Sequence, residues 1–357
     1  MKNNKILIVI NNLGVGGAER VVVDDINEMI RRGFEINLIT LRPEFQRSLE
    51  SQCDVLPKNK ILINFNGFFD FKSYIIFFKF IKNTNPNLII SHLWFANTIS
   101  RVTCIFSGYK NIICFEQNVY DLVKTKKMFF VDSILQFFCR KVIAVSETVK
   151  KSLIDNGIQE KRIHVIYNSI DLKKYDSAPS MRNLFKDVNN FIFLFVGRLI
   201  PQKGVDVLIN AFEKVENATL MIAGQGPEKD NLEKIIKNKN IGNKIVFLGV
   251  CDSIPSLLAS VDCFVFPSRH EGFPLVLLEA MASQLPIIIT DFPSGLEVVK
   301  HGLNGLVSPI DDVEKLSFAM NDLMHSEELQ KKLAIQARKD VCNFSIQNHV
   351  NIMLTFL

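Results

Sequence analysis

Four strings of the 357-residue sequence set glycines and charged side chains where a strand-like run gives way to a helix-like one. The first is Asn11-Asn12-Leu13-Gly14-Val15-Gly16-Gly17-Ala18-Glu19-Arg20. Its glycines admit close backbone approach, and the helix that it opens offers free amides to an anion. A tight strand-to-helix turn accounts for the same residues. A dinucleotide fingerprint counted from Gly14 needs a third glycine where Glu19 stands, which weighs against an NAD-dependent oxidoreductase. The second string, Gly197-Arg198-Leu199-Ile200-Pro201-Gln202-Lys203-Gly204, places two cations five residues apart between glycines. Arg198 can bond two phosphate oxygens at once and Lys203 adds a flexible point charge, together a suitable clamp for a diphosphate. An exposed basic loop is the plainer account, but it leaves the flanking glycines unexplained. The third string, Ala223-Gly224-Gln225-Gly226-Pro227-Glu228, carries little alone.

The fourth is the most informative: Pro267-Ser268-Arg269-His270-Glu271-Gly272-Phe273-Pro274-Leu275-Val276-Leu277-Leu278-Glu279-Ala280-Met281-Ala282. A strand runs into a bent loop, then into a helix starting near Pro274, a residue favoured in the first turn. Glu271 precedes that helix. Glu279 lies more than a turn inside it among apolar residues, where an unpaired carboxylate is costly. The cis-diol of a ribose would supply two hydroxyl donors; a structural salt bridge or an exposed helix face would satisfy the carboxylate as well.

The elements that must hold these strings repeat as strand, loop, helix. Strand-like runs occupy residues 6–10, 35–41, 61–63, 88–91, 111–115, 141–145 and 164–167, with helical stretches at 18–32, 74–82, 96–106, 128–139 and 147–156. Near-continuous apolar strands between amphipathic helices call for a parallel sheet covered on both faces. Residues 168–190 interrupt the rhythm with Asp, Lys, Ser and Pro and read as a linker. The rhythm resumes with strands at 191–196, 218–223, 244–248, 262–266 and 286–290 and helices at 205–215, 228–239, 253–260, 274–283 and 313–324. The expected fold class is α/β, two doubly wound Rossmann-like domains facing a central cleft, with ligands beyond the carboxyl ends of the strands.

With these four strings in view, the chain resembles glycosyltransferase family 4, the retaining group with the GT-B fold, in its bacterial surface-polysaccharide form. The likeness covers nearly the whole length: the Gly-Gly-Ala-Glu-Arg loop, the Gly-Arg-Leu…Lys-Gly clamp, the Gly-Gln-Gly-Pro loop containing Gly226, and glutamates separated by seven residues. It implies that Arg198 and Lys203 bind the donor diphosphate and that Glu279 holds the ribose. Glu271 would lie by the transferred sugar with backbone amides around Phe273, Pro274 and Leu275, while Gly16 and Gly17 close onto the donor from the other domain. Residues 1–170 would be the acceptor-binding domain, joined by a terminal helix, 344–357, that crosses back; residues 171–343 would bind the nucleotide sugar. The implied donor is a nucleotide diphosphate sugar, UDP-linked, carrying a hexose or N-acetylhexosamine, and the implied acceptor is a lipid-linked glycan. No cofactor is implied. The sequence has no Asp-x-Asp, the metal clamp of other glycosyltransferase folds, so cations and helix N-termini would stabilise the leaving diphosphate. One departure concerns Ile113-Cys114-Phe115-Glu116-Gln117-Asn118: Gln117 stands where many relatives have a histidine near the sugar, and a glutamine cannot titrate. His92 and His270 are other candidates at the cleft edge, although a lone histidine is as readily incidental.

Composition sets the remaining bounds. The chain is 48% hydrophobic and 22% charged, fitting a globular protein of two domains. Residues 1–180 carry 25 Lys/Arg against 17 Asp/Glu, and the remainder 17 against 20. That basic first half points to an anionic partner, phosphate or membrane, and is too slight for nucleic acid. Seven cysteines without close pairs favour a reducing compartment, and neither a cleavable signal pattern nor a spanning apolar stretch is present. Residues 65–82 and 124–141 interleave phenylalanines with lysines, among them Lys124, Lys126 and Lys127. They suit peripheral contact with an anionic leaflet, on the cytoplasmic face; two ordinary amphipathic helices packed on a sheet fit equally. A GT-B nucleotide-sugar epimerase and a non-catalytic nucleotide-sugar-binding protein remain alternatives.

Overall fold

The computed structural model describes residues 4–44, 47–119, 124–185 and 190–357. The chain divides into two compact units, Met1–Ile170 with Ile346–Leu357, and Asp171–Ser345.

The first unit is built on seven parallel strands, β1 (Lys5–Ile10), β2 (Glu35–Thr40), β3 (Lys60–Leu62), β4 (Leu88–His92), β5 (Ile112–Glu116), β6 (Lys141–Ala144) and β7 (Ile163–Val165). Their order is β3-β2-β1-β4-β5-β6-β7, so the winding reverses between β1 and β4. Residues 6–10 are buried without alternation, as a strand covered on both faces must be. Between β1 and β2, the helix Gly17–Arg31 buries Val21, Val22, Val23, Ile26 and Met29 on the sheet. The helix Phe71–Thr84 begins three residues earlier than expected because Asp70 caps it. The carboxylate accepts from the Ser73 amide at 3.2 Å, and Asn85 ends the helix in the left-handed region. The last helix of the chain, Ile346–Leu354, belongs to this unit and packs on Gly17–Arg31. Arg32 donates to Asn351 Oδ1 at 2.6 Å and to the Gln347 carbonyl at 3.0 Å, and His349 Nε2 lies 3.3 Å from Asp25 Oδ2.

The second unit carries six parallel strands, β8 (Phe191–Val196), β9 (Ala218–Ala223), β10 (Ile245–Gly249), β11 (Cys263–Phe266), β12 (Ile287–Thr290) and β13 (Leu306–Ser308), ordered β10-β9-β8-β11-β12-β13. The winding reverses between β8 and β11. Strand β13 and the helices Pro293–Val298 and Glu327–Asp340 were not expected. The first two are too short to show a period, and the third buries only Leu333, Ala334 and Ala337 on an otherwise charged surface. The expected linker is also corrected in part. Residues 173–176 form a short helix, Lys173–Asp176, and Arg182 donates to Asp262 Oδ1 at 2.8 Å, so residues 173–182 of this polar stretch pack as part of the second unit.

Candidate functional site

In the second unit, three of the predicted strings lie at the carboxyl ends of β8, β9 and β11, around the point where the winding reverses, the usual ligand position in such sheets. Their backbones interlock. The Leu199 amide donates to the Gln225 carbonyl at 2.9 Å, the Glu228 amide to Leu199 at 3.1 Å, and the Arg269 amide to Gln202 at 2.8 Å. This lacing explains two glycines. A Cβ on Gly204, whose φ is +64°, would lie 2.0 Å from the Pro267 carbonyl oxygen, and one on Gly226 would lie 2.2 Å from that of Leu199. Both positions are closed to side chains by neighbouring backbone.

On this frame Lys203 Nζ donates to Glu271 Oε1 at 2.7 Å, and Ser268 Oγ donates to the same oxygen at 2.5 Å. Ser294 Oγ holds the Glu271 carbonyl at 2.9 Å. Burial of Glu271 is therefore matched by a cation and a hydroxyl, as a charge at that depth requires. Arg198 is exposed, and among the described residues no side chain holds it. Arg269 instead serves structure: its guanidinium bonds both oxygens of Asp206, at 3.1 and 2.8 Å, and Asp311 at 2.8 Å. Phe273 is buried against Phe344, ring centroids 5.8 Å apart, and Pro274 and Leu275 are buried beside it. The helix Leu275–Ala282 opens after Pro274 without a side-chain cap, leaving its first amides to other acceptors. Glu279 lies half-buried on that helix, and its Oε1 accepts a bond from the Tyr175 hydroxyl at 3.0 Å. His270 is half-buried, and burial first of all lowers its pKa. Tyr175, Ser268 and Ser294 were not anticipated; their types are common, and only packing brings them to Glu279 and Glu271.

The first unit holds the other predicted residues. Gly16 is the N-cap of Gly17–Arg31, with extended backbone and no side-chain cap; a Cβ there would meet the Glu19 carboxylate at 2.2 Å. Gly17 is exposed. Gln117 follows β5, and its Oε1 accepts from Asn168 Nδ2 at 2.9 Å. Two expectations are corrected. His92 is buried and stacked on Phe115, centroids 4.6 Å apart, with its pKa pushed down to about 3 by burial and secondarily by His349. It is a core histidine, neutral at physiological pH. Lys124, read as part of a basic surface, is fully buried, bonding Asp132 Oδ2 at 2.6 Å and Glu116 Oε2 at 3.5 Å. Asp132 also accepts from Arg101 at 2.5 Å and from Trp94 Nε1 at 3.0 Å, so two cations face two carboxylates inside the unit.

Residues 15–174 match the family model described as Glycosyltransferase Family 4, and residues 176–340 that described as Glycosyl transferases group 1. The chain is 25% identical to the UDP-Gal:alpha-D-GlcNAc-diphosphoundecaprenol alpha-1,3-galactosyltransferase of Escherichia coli, over 95% of this chain and 91% of that one. It is 31% identical to an uncharacterized glycosyltransferase of Methanocaldococcus jannaschii, over 56% of this chain and 55% of that protein, about half the length of each. Among solved structures, Anabaena HepE in complex with UDP and glucose superposes with a TM-score of 0.87 at 21% identity, covering 98% of both chains. That likeness shows the GT-B fold. Both units are thus matched by glycosyltransferase models, each spanning a little under half of the chain.

Proposed function

We propose that the protein transfers a hexose or N-acetylhexosamine from a UDP-linked sugar to a lipid-linked glycan, with retention at the anomeric carbon, in the building of a surface polysaccharide. The observation that carries this reading is the layout around β8 and β11: exposed Arg198, the Lys203–Glu271 pair and Glu279, each on a loop or helix fixed by interlocked backbone. Arg198 would take two oxygens of the donor diphosphate and Lys203 a third, neutralising charge that grows as the glycosidic bond breaks. Glu279 would accept the ribose hydroxyls. Glu271 would lie beside the sugar with amides of residues 273–275, and diphosphate departure and acceptor attack would share one face. The UDP of the HepE complex and the diphosphoundecaprenol-linked acceptor named for the E. coli relative support these choices of donor and acceptor.

Acceptor binding falls to the first unit, donor binding to the second. Phe69, Phe71, Phe106, Phe130 and Phe137 are exposed on the first unit, and Lys72, Lys79, Lys126 and Lys127 are exposed on the same helices or beside them. The acids of those segments are turned inward or used as caps: Asp132 is buried and Asp70 caps its helix. Among the described residues no helix is long and apolar enough to cross a membrane, so an apolar surface edged with cations would meet an anionic leaflet peripherally. Mass spectrometry of products from a panel of nucleotide sugars and lipid-linked acceptors tests the reading. A new glycosidic bond on the acceptor is expected. An altered donor sugar formed without acceptor would replace transfer by epimerisation.

A further inference from the structure

The phenol that donates to the Glu279 carboxylate comes from a stretch that reads as linker in the sequence. Tyr175 lies on the short helix Lys173–Asp176, which packs against Leu275–Ala282 and Ile254–Leu258. Its neighbour Asp176 is paired with Arg338 of the helix Glu327–Asp340, which fixes the turn from the opposite end. The phenol thus arrives on an anchored backbone, with only two side-chain torsions of its own. A glutamate, by contrast, ends in a torsion with broad minima, so its carboxylate plane is undetermined unless something holds one oxygen.

We infer that Tyr175 is a positioning residue that sets the Glu279 carboxylate to read the ribose of the donor nucleotide; this rests on the donor site proposed above. A carboxylate has about four lone-pair sites. The Tyr175 hydroxyl uses one on Oε1, at 3.0 Å, which leaves capacity for the two hydroxyls of a cis-diol. Tyr175 therefore need not be displaced when nucleotide binds. With Oε1 tethered, the other oxygen has a fixed direction, and the site distinguishes a ribose with both hydroxyls from one lacking a hydroxyl. With this bond removed the carboxylate is held less firmly, binds either sugar less well and discriminates less between them.

Calorimetric titration of wild type, Tyr175→Phe, Glu279→Gln and the double variant with UDP and with 2′-deoxy-UDP tests this. Tyr175→Phe removes one oxygen and leaves the ring packing, and thermal unfolding checks that the fold is intact. Affinity for UDP should fall about three- to tenfold, the net size of one ordinary hydrogen bond, and the preference for UDP over 2′-deoxy-UDP should narrow. In steady state, KM for donor should rise with kcat retained. In the Glu279→Gln background, Tyr175→Phe should change UDP binding little, because the tethered charge is already gone. An equal loss in both backgrounds, an unchanged preference for ribose, or tighter UDP binding by Tyr175→Phe would overturn the inference alone. Glu279→Gln binding UDP like wild type would overturn the donor-site reading and this inference with it.

Discussion

Arg198 and Lys203 carry the same charge on one loop, yet the fold treats them differently, and substitution should separate their effects. The Lys203 and Glu271 side chains are 14% and 10% exposed and meet at 2.7 Å, with Ser268 as the other donor to Glu271 Oε1. Lys203→Ala leaves a nearly buried carboxylate with that hydroxyl. Breaking one side of a fully buried pair costs about 3–5 kcal/mol and of an exposed pair about 0–1, so about 2 kcal/mol is expected at this depth. For a unit of this size that lowers the unfolding midpoint by about 4–8 °C. Arg198→Ala breaks no side-chain contact among the described residues and should leave the midpoint unchanged. Both variants should nevertheless lose turnover on the order of 100-fold, the usual loss for one preorganised donor to a developing anion. The double variant should lose less than the product, because in the proposed site both serve one diphosphate. Adding Glu271→Gln to Lys203→Ala should recover the midpoint without recovering turnover. Scanning calorimetry beside single-turnover transfer reads both quantities. Equal melting of the two single variants would show that the pair contributes nothing to stability. Folded variants that turn over like wild type would remove Arg198 and Lys203 from the site.

Lys124→Met should destabilise the first unit by about 3 kcal/mol, whereas Lys126→Gln with Lys127→Gln should leave urea unfolding unchanged and weaken pelleting with anionic vesicles, more so at low salt; identical unfolding of all the variants would contradict the buried network. Burial opposes charge on His349, but Asp25 and the Tyr167 carbonyl outweigh it and raise the pKa above 6.5. The stabilisation from protonated His349 is then complete below pH 6.5 and lost as pH rises through the raised value, and His349→Gln should abolish that alkaline decline in the unfolding midpoint. In the proposed site Arg198 and Lys203 supply the positive charge at the diphosphate, so transfer should continue in excess chelator; loss restored specifically by magnesium or manganese would oppose this assignment.

The doubly wound architecture was legible in the sequence because parallel strands buried on both faces leave unbroken apolar runs, as at residues 6–10 and 191–196. The placement of Arg198, Lys203 and Glu271 just beyond β8 and β11 was legible too, since the strings that carry them follow directly on apolar runs of strand length. Elements with weak periods escaped, among them β13 and the helix Glu327–Asp340. Tertiary packing alone decided which charges are spent inside the protein. Lys124 and Lys126 look alike in sequence, but Lys124 faces Asp132 and Glu116 in the interior while Lys126 is exposed. His92, expected at an edge, is stacked in the core. Lys203 and Glu271 could be listed together from motif, but not joined, because the 2.7 Å bond depends on two loops 68 residues apart being locked by Gly204 against Pro267. Residue type and local spacing fix what a side chain can do; which partner it meets is set by contacts between distant segments, whose geometry no local pattern encodes.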